Sequence, residues 1–426
     1  MDREISPPRV KRRRLLHPGS DCDRKMPTGH RGVRVYSWNI NGIQAFISAS
    51  AAPITSYFKA LDVDRDLAQP QTLPHNSLRG FLCRHNWPEV LFLQELKVGP
   101  SNRKQLASLL SSLNSSLGVG DKMSSERTYE LHYVLPRDKY NAKGFQGRLY
   151  GVGTILRKDF AQTYGCRVRH ADWDLEGRVS IVETTQQKTG HLFSVDGTSG
   201  MTARADAATG ITSTDKPLAL INVYAVNGTS AEYKSPDTGQ VTGTRHDHKL
   251  AFHSRLVAEC LFLESRGFHV VIAGDLNVAR GPWDGHPNLR TSPLQHCVNR
   301  ADFNAKFFDS NDNEKTRAYC PQPSKGDGMN RCFQGVDVFR AIHGDERRYT
   351  YHARTKPWGS SCDRVDLIIV SKGLWESSRI IQTGILDTPA ERGPSDHVPI
   401  WVEIAMQQPG QDRSADSGKH LEEGVA

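Results

Sequence analysis

The chain has 426 residues, 37% hydrophobic and 24% charged, an ordinary balance for a globular protein with a sizeable core. Its formal net charge is +8; residues 1–30 hold +4 and residues 407–426 hold −2, so +6 stays in the body and an anionic partner is expected. No apolar run reaches the ~18–20 residues that span a bilayer, no apolar leader is visible, and eight cysteines without a CxxC pair argue against a disulfide scaffold or a regular zinc site.

Residues 1–30 are rich in Pro, Arg and Asp and lack periodicity, which predicts a disordered tail. Within it RVKRRR, Arg9 to Arg14, reads as a nuclear address or an extra phosphate contact, against the plain alternative of a solvated charge run. From residue 33 onward, apolar runs bounded by Gly, Pro, Asn or Asp predict buried strands at 33–40, 89–96, 150–158, 178–184, 218–226, 269–277, 365–371 and 398–404. Between them, 103–113 has amphipathic helical spacing, and 246–267 predicts a long helix closed by Gly267. Stretches near 47–76, 185–216 and 230–245 read as insertions, and 407–426 as a second tail. The pattern predicts one domain over 31–406, built as two packed sheets with helices outside.

Polar residues collect where these strands end. The first run ends in Asn39 and Asn41, the second in Glu95 and Lys97. The fifth leads to Tyr224 and Asn227, and the sixth to Asp275 and Asn277. Asp366 lies in RVDLIIV, and Asp396 and His397 open the last strand. Each alone is ordinary turn chemistry. If the strands lie side by side, their ends meet on one rim and the residues form one cluster. Each strand end thus carries a carboxylate, amide or imidazole, groups that ligate cations or move protons.

In order, SWNINGIQAF, LFLQELKV, INVYAVNG, AGDLNVARG, CDRVDLIIVS and GPSDHVPIW resemble the endonuclease/exonuclease/phosphatase superfamily, most closely its exonuclease III and apurinic/apyrimidinic endonuclease branch. The resemblance spans about 33–405. It implies a four-layer α/β sandwich, two mixed β-sheets face to face with helices on both outer surfaces. It further implies a Mg²⁺-dependent phosphodiesterase, with Mn²⁺ as a substitute. Carried over by motif, Asn41, Glu95, Asp396, Asp275, Asn277 and His397 would surround the metal. On the phosphoester, Asp275 would act as general base oriented by Asn277, His397, held by Asp366, as a donor to phosphate, and Tyr224 and Asn39 as further donors to phosphoryl oxygens. Lys97, Asn227 and the aromatic Tyr349, Tyr351 and Trp358 would meet substrate, the aromatics packing against an extrahelical abasic sugar. The expectation is a monomeric nuclear enzyme of base excision repair. It would cut DNA 5′ to an abasic site, or resect it 3′ to 5′, on abasic or nicked duplex and without a membrane partner. The alternative is a phosphatase of a polyphosphate or lipid headgroup, because PWGSSCDRV also echoes the inositol 5-phosphatases.

Overall fold

Side-chain alternation decides the layering. In β1 (His30–Asn39) Val33 and Val35 point one way and Tyr36 and Trp38 the other; in β2 (Val90–Gln94) Val90 and Phe92 oppose Leu91 and Leu93. Both faces are apolar, so both must be covered. The computed structural model describes residues 29–47, 77–99, 103–116, 124–142, 144, 147–185, 216–308 and 332–407. The predicted tails and the insertions near 47–76 and 185–216 lie almost wholly outside the described residues.

One six-stranded sheet joins β1 and β2 to β3 (Tyr129–Val134), β4 (Val152–Arg157), β16 (Ile380–Ile385) and β17 (Ile400–Gln407), in the order β16-β17-β1-β2-β4-β3. The other joins β5 (Arg167–His170), β6 (Val179–Glu183), β7 (Leu218–Tyr224), β10 (His269–Asp275), β12 (Val336–Asp337) and β15 (Asp366–Val370), in the order β12-β15-β10-β7-β6-β5. Both are mixed: β1 runs parallel to β2 and antiparallel to β17, and β10 parallel to β7 and antiparallel to β15. The inner faces meet in one core, where Val35, Phe92, Val402 and Ile404 pack with Leu218, Leu220, Val271 and Ile368. The outer face of the second sheet, with Ile221 and Ile272, is covered by helices Arg245–Ser265 and Gln295–Phe307 through Leu256, Cys260, Phe303 and Phe307. Helices Leu78–Arg84 and Arg103–Asn114 cover Leu91 and Leu93 with Phe81, Leu106 and Leu109. The four-layer α/β sandwich forms as expected.

Each run read as a strand forms one. The long helix spans Arg245–Ser265, with Thr244 and Asp247 making a capping box and Gly267 turning left-handed (φ 87°) just beyond it. The 230–245 stretch, read as an insertion, is ordered as a hairpin of β8 (Glu232–Lys234) and β9 (Val241–Thr244). β3, β5 and β16 were missed because none is a continuous apolar run: β3 alternates Tyr and Leu with Glu and His, and β5 and β16 carry Arg, His, Gln and Gly. A small sheet of β11 (Gly285–His286), β14 (Cys362–Asp363) and β13 (Tyr351–His352) borders the second large sheet.

A buried ion network fixes the chain at the start of β15. Arg364, 1% exposed, donates Nε–H to Asp284 (2.7 Å) and Nη2–H to Asp337 (2.7 Å), and Arg280 also reaches Asp337 (2.9 Å). Its backbone N–H donates to the Asp284 carbonyl (2.8 Å), so the segment after β10 and the start of β15 hold each other. Removing one partner strands buried charge. Arg364→Met is expected to lower stability by about 3–5 kcal/mol, read as a shift in the urea midpoint.

Candidate active site

Topology brings the strand ends together. Parallel pairing places the C-terminal ends of β1 and β2 side by side, with Asn39 opposite Gln94; β7 and β10 are parallel too, with Tyr224 opposite Asp275. Antiparallel β15 contributes its first residue, Asp366, opposite Asp275. The segment leading into β17 is tied to the end of β1: Ser395 Oγ–H donates to the Asn39 carbonyl (2.6 Å), His397 N–H to Ser395 Oγ (3.0 Å), and Trp38 Nε1–H to the His397 carbonyl (3.0 Å). Between the sheets, Gln94 Nε2–H reaches Asn222 Oδ1 (2.8 Å), a polar link just behind the rim.

At these ends the backbone leaves ordinary strand geometry. Asn41, Glu95, Lys97 and Asn277 all have φ between 51° and 55°. Left-handed backbone at non-glycine residues costs on the order of 1–3 kcal/mol each and concentrates at functional sites. Gly274 (φ 156°) is required by packing, since a Cβ there would lie 1.9 Å from the Val223 carbonyl oxygen. It lets β10 press against β7 one residue before Asp275.

Asn39 is fully buried and sits between two carboxylates. Its Nδ2 donates to Glu95 Oε1 (3.0 Å) and Asp275 Oδ2 (3.1 Å), and its Oδ1 accepts from Asn41 N–H (3.1 Å). Expected as a donor to substrate, it has both amide hydrogens committed and acts as a clamp. Lys97 Nζ lies 2.6 Å from Glu95 Oε2 and also donates to Asn41 Oδ1. Burial opposes ionisation of Glu95, but the Lys97 ammonium and hydrogen bonds from Lys97 and Asn39 outweigh it and hold the carboxyl below its usual range. Glu95 Oε2 and Asn41 Oδ1 thus already face a positive charge, and these hard oxygens fit a divalent cation.

His397 Nδ1 lies 2.7 Å from Asp366 Oδ2, and its Nε2 lies 4.0 Å from Asp275 Oδ2. Burial would discharge the ring; the carboxylates of Asp366 and Asp275 outweigh burial and raise its pKa to about 10. Asp275 moves the opposite way to its usual carboxylate behaviour. Burial, then the Asp366 charge, raises it to about 7, while its Oδ1 accepts the Asn277 N–H (2.9 Å). Ligand atoms of Asp275, Asp366 and His397 all lie within 4.8 Å of one another. An imidazolium presents N–H donors and no lone pair, so this geometry suits His397 to anion binding better than to ligating a cation. Tyr224 is held well above the usual phenol range by burial and by Glu95, and stays a donor.

A cleft of about 290 Å³ opens over these groups, lined by Glu95, Tyr224, Asn227, Asp275, Asn277, Asp396 and His397. Of the three aromatics expected to meet substrate, only Tyr351 lines it, its ring 5.2 Å from His397. Trp358 lies outside, stacked on His352 (3.7 Å) with Arg392 over its ring (5.0 Å), and Tyr349 is buried near His286 (6.0 Å). Sequence reading missed Arg178, which lies over the Tyr224 ring (4.8 Å) and donates to the Tyr224 carbonyl (3.2 Å). Glu176 holds it at 2.7 Å, and the signal was the charged turn LEGR before a buried strand. Lys249 was missed too; it is buried and donates to the Asn277 carbonyl (2.7 Å), its pKa pulled down to about 7 chiefly by burial.

A model of the Endonuclease/Exonuclease/phosphatase family matches residues 36–397. No curated protein matches the sequence. Similar solved structures include the AP endonuclease LMAP from Leishmania major, at 17% identity over 88% of each chain with a TM-score of 0.51. The Xenopus laevis APE2 catalytic domain follows, at 16% identity over 88% of this chain and 93% of that one, TM-score 0.48. An AP endonuclease from Archaeoglobus fulgidus has 18% identity over 87% and 99%, TM-score 0.47. The Leishmania likeness is one of fold.

A buried carboxyl whose pKa is raised in the folded state destabilises that state as pH climbs from the usual carboxylate value near 3.8 to about 7. Asp275→Asn is therefore expected to raise the urea midpoint at pH 8, with a gain that shrinks toward pH 4, while turnover is lost. Denaturation curves at both pH values, with a parallel activity assay, check this.

Proposed function

Because the chain belongs to the endonuclease/exonuclease/phosphatase family and is a phosphoric diester hydrolase, we propose that it is a metal-dependent nuclease that hydrolyses the DNA backbone, cutting 5′ to an abasic site or resecting from a 3′ end. The observation that carries the reading is the buried Asp366–His397–Asp275 cluster opening on a cleft beside Glu95. The order of the strand-end motifs and the basic surplus of the body support DNA as substrate. RVKRRR near the N-terminus, outside the described residues, supports a nuclear location, and we read the enzyme as a monomer.

The chemistry follows from the residues. Asp275, with its pKa near neutrality and one oxygen fixed by the Asn277 amide, takes a proton from the attacking water. His397, kept charged by Asp366, points Nε2–H at a phosphoryl oxygen, and the protonated Tyr224 supplies a second donor. Asn39 holds Glu95 and Asp275 in fixed relation. Glu95 and Asn41, with Asp396 in the same cleft, would hold Mg²⁺ or Mn²⁺. When bound, the ion supplies Lewis-acid stabilisation of the leaving oxygen and the phosphoryl charge. Asn227 and Tyr351 line the cleft where the sugar–phosphate strand would run.

A second reading, a phosphatase of a polyphosphorylated headgroup, is favoured by one feature: Arg290, Arg300 and Lys249 also line the cleft. One gel separates the two. Abasic duplex, intact duplex and single strands are incubated with Mg²⁺ or EDTA, beside inositol polyphosphates assayed for released phosphate. Incision at the abasic site or 3′ resection, with Mg²⁺ only, is expected; intact DNA together with released inorganic phosphate would transfer the assignment to the headgroup. In the same assay His397→Ala is expected to lose about 10²–10³-fold in kcat, and to lower the unfolding midpoint because Asp366 and Asp275 lose their buried counter-charge, with circular dichroism checking that the assayed protein is folded. Near-native turnover by that variant would remove His397 from the reaction.

A further inference from the structure

The cleft runs past the catalytic acids onto a wall that the reaction above does not use. Lys249 comes from the helix Arg245–Ser265, His296, Asn299 and Arg300 from the helix Gln295–Phe307, and Arg290 from the segment between them. Asp363 stands against Arg290 (2.8 Å), so the wall's surplus of positive charge comes from Arg300, with a part from Lys249, whose pKa lies near 7.

Asn299 is 3% exposed and lines the cleft, and its Oδ1 meets no partner among the described residues. Its Nδ2 lies 2.9 Å from His246 Nδ1. Amide orientation follows from the surrounding hydrogen bonds. Turned over, the amide would give Oδ1 to a neutral His246 N–H and direct its two N–H donors at the cavity. In either orientation a buried polar group is left for a ligand to satisfy. The surroundings decide which kind. Burial, then Lys249, lowers the His246 pKa; burial, then His246, Lys249, Arg290 and Arg300, lowers that of His296. Arg290, Arg300 and Lys249 line the cleft beside His296, and their charge favours an acceptor ligand.

The wall is also fitted to the loop that carries Asn227. At Gly228 a Cβ would lie 2.6 Å from Asn299 Nδ2 and 2.7 Å from His246 Nδ1. Only glycine lets that loop close on the pair, so the wall and the catalytic rim form one continuous surface.

We infer that Asn299, His296, Lys249, Arg300 and Arg290 form a second anion subsite, which holds the phosphate next to the one being hydrolysed. This rests on the phosphodiesterase reading and narrows its substrates to molecules with two neighbouring phosphates, first among them a nucleic-acid strand.

Binding and turnover are tested separately. Pyrophosphate is titrated into the full chain in EDTA, and the histidine imidazole resonances are followed in the wild type, His397→Asn and Asn299→Leu. His246 and His296 are expected to shift in the first two proteins and to stay still in Asn299→Leu, whose other resonances report an intact fold. Should Asn299→Leu fail to fold, the milder His296→Ala replaces it, with the His246 shift expected to weaken. Movement of His397 alone, or of no histidine, overturns the subsite, whatever the enzyme cleaves.

For turnover, an oligonucleotide with one uncharged methylphosphonate beside the scissile bond is compared with the all-phosphate strand. The wild type is expected to lose about tenfold in kcat/KM on it, and Asn299→Leu to treat both strands alike. Equal turnover of both strands by the wild type contradicts the subsite. Faster hydrolysis of an inositol polyphosphate than of either strand keeps the subsite and assigns its second phosphate to a headgroup, so a failure of the DNA reading is told apart from a failure of this one.

Discussion

One buried charge cluster organises this molecule: an imidazole between two carboxylates, shared by two sheets. His397 enters from the end of the first sheet, while Asp366 and Asp275 stand on neighbouring strands of the second. None of the three would be stable alone at this depth, since burying a charge without a partner costs several kcal/mol. Together they reach a compromise in which His397 holds its proton and Asp275 is left close to neutrality. The compromise requires both sheets to be packed in register, so fold and chemistry are one constraint. The same residues that make the site also strain it, in the way expected where activity and stability compete.

The second constraint is the sharp exit of each strand. Glu95, Lys97, Asn41 and Asn277 adopt left-handed backbone that residues with side chains avoid, and each does so one to three residues after its strand ends. That turn keeps the side chains over the rim instead of letting them run on along the strand. Hydrogen bonds from Asn39 and Asn277, and packing at Gly274, offset the cost. Arg178 and Lys249 serve from behind: one braces Tyr224 and the other the Asn277 carbonyl.

Much of this was legible in the amino-acid order, and the reason is local. β1, β2, β7, β10 and β15 are apolar on both faces, so their runs stand out, and the site residues follow the runs directly. Once parallel neighbours are granted, Asn39, Glu95, Tyr224 and Asp275 must meet. What was not legible depends on contacts between distant segments. Trp358 lies in a segment consistent with a substrate aromatic, yet His352 and Arg392 hold it away from the cleft. Asn39 looked like a substrate donor because nothing in SWNIN reveals that Glu95 and Asp275 consume its hydrogens. The wall formed by His296, Asn299 and Arg300 was invisible for the same reason: on its own helix it is a set of polar residues in the first two turns, and only the fold turns it toward His397.

The account depends on His397 being a cation clamped between Asp366 and Asp275, and the most direct measurement is the titration of its imidazole by NMR in the full chain. The ring is predicted to keep its proton to about pH 10, and to release it at lower pH once Asp366 is changed to Asn. A His397 that titrates near its ordinary 6.5 in the unaltered protein, and is indifferent to Asp366, would contradict the claim that these strands meet around one shared charge.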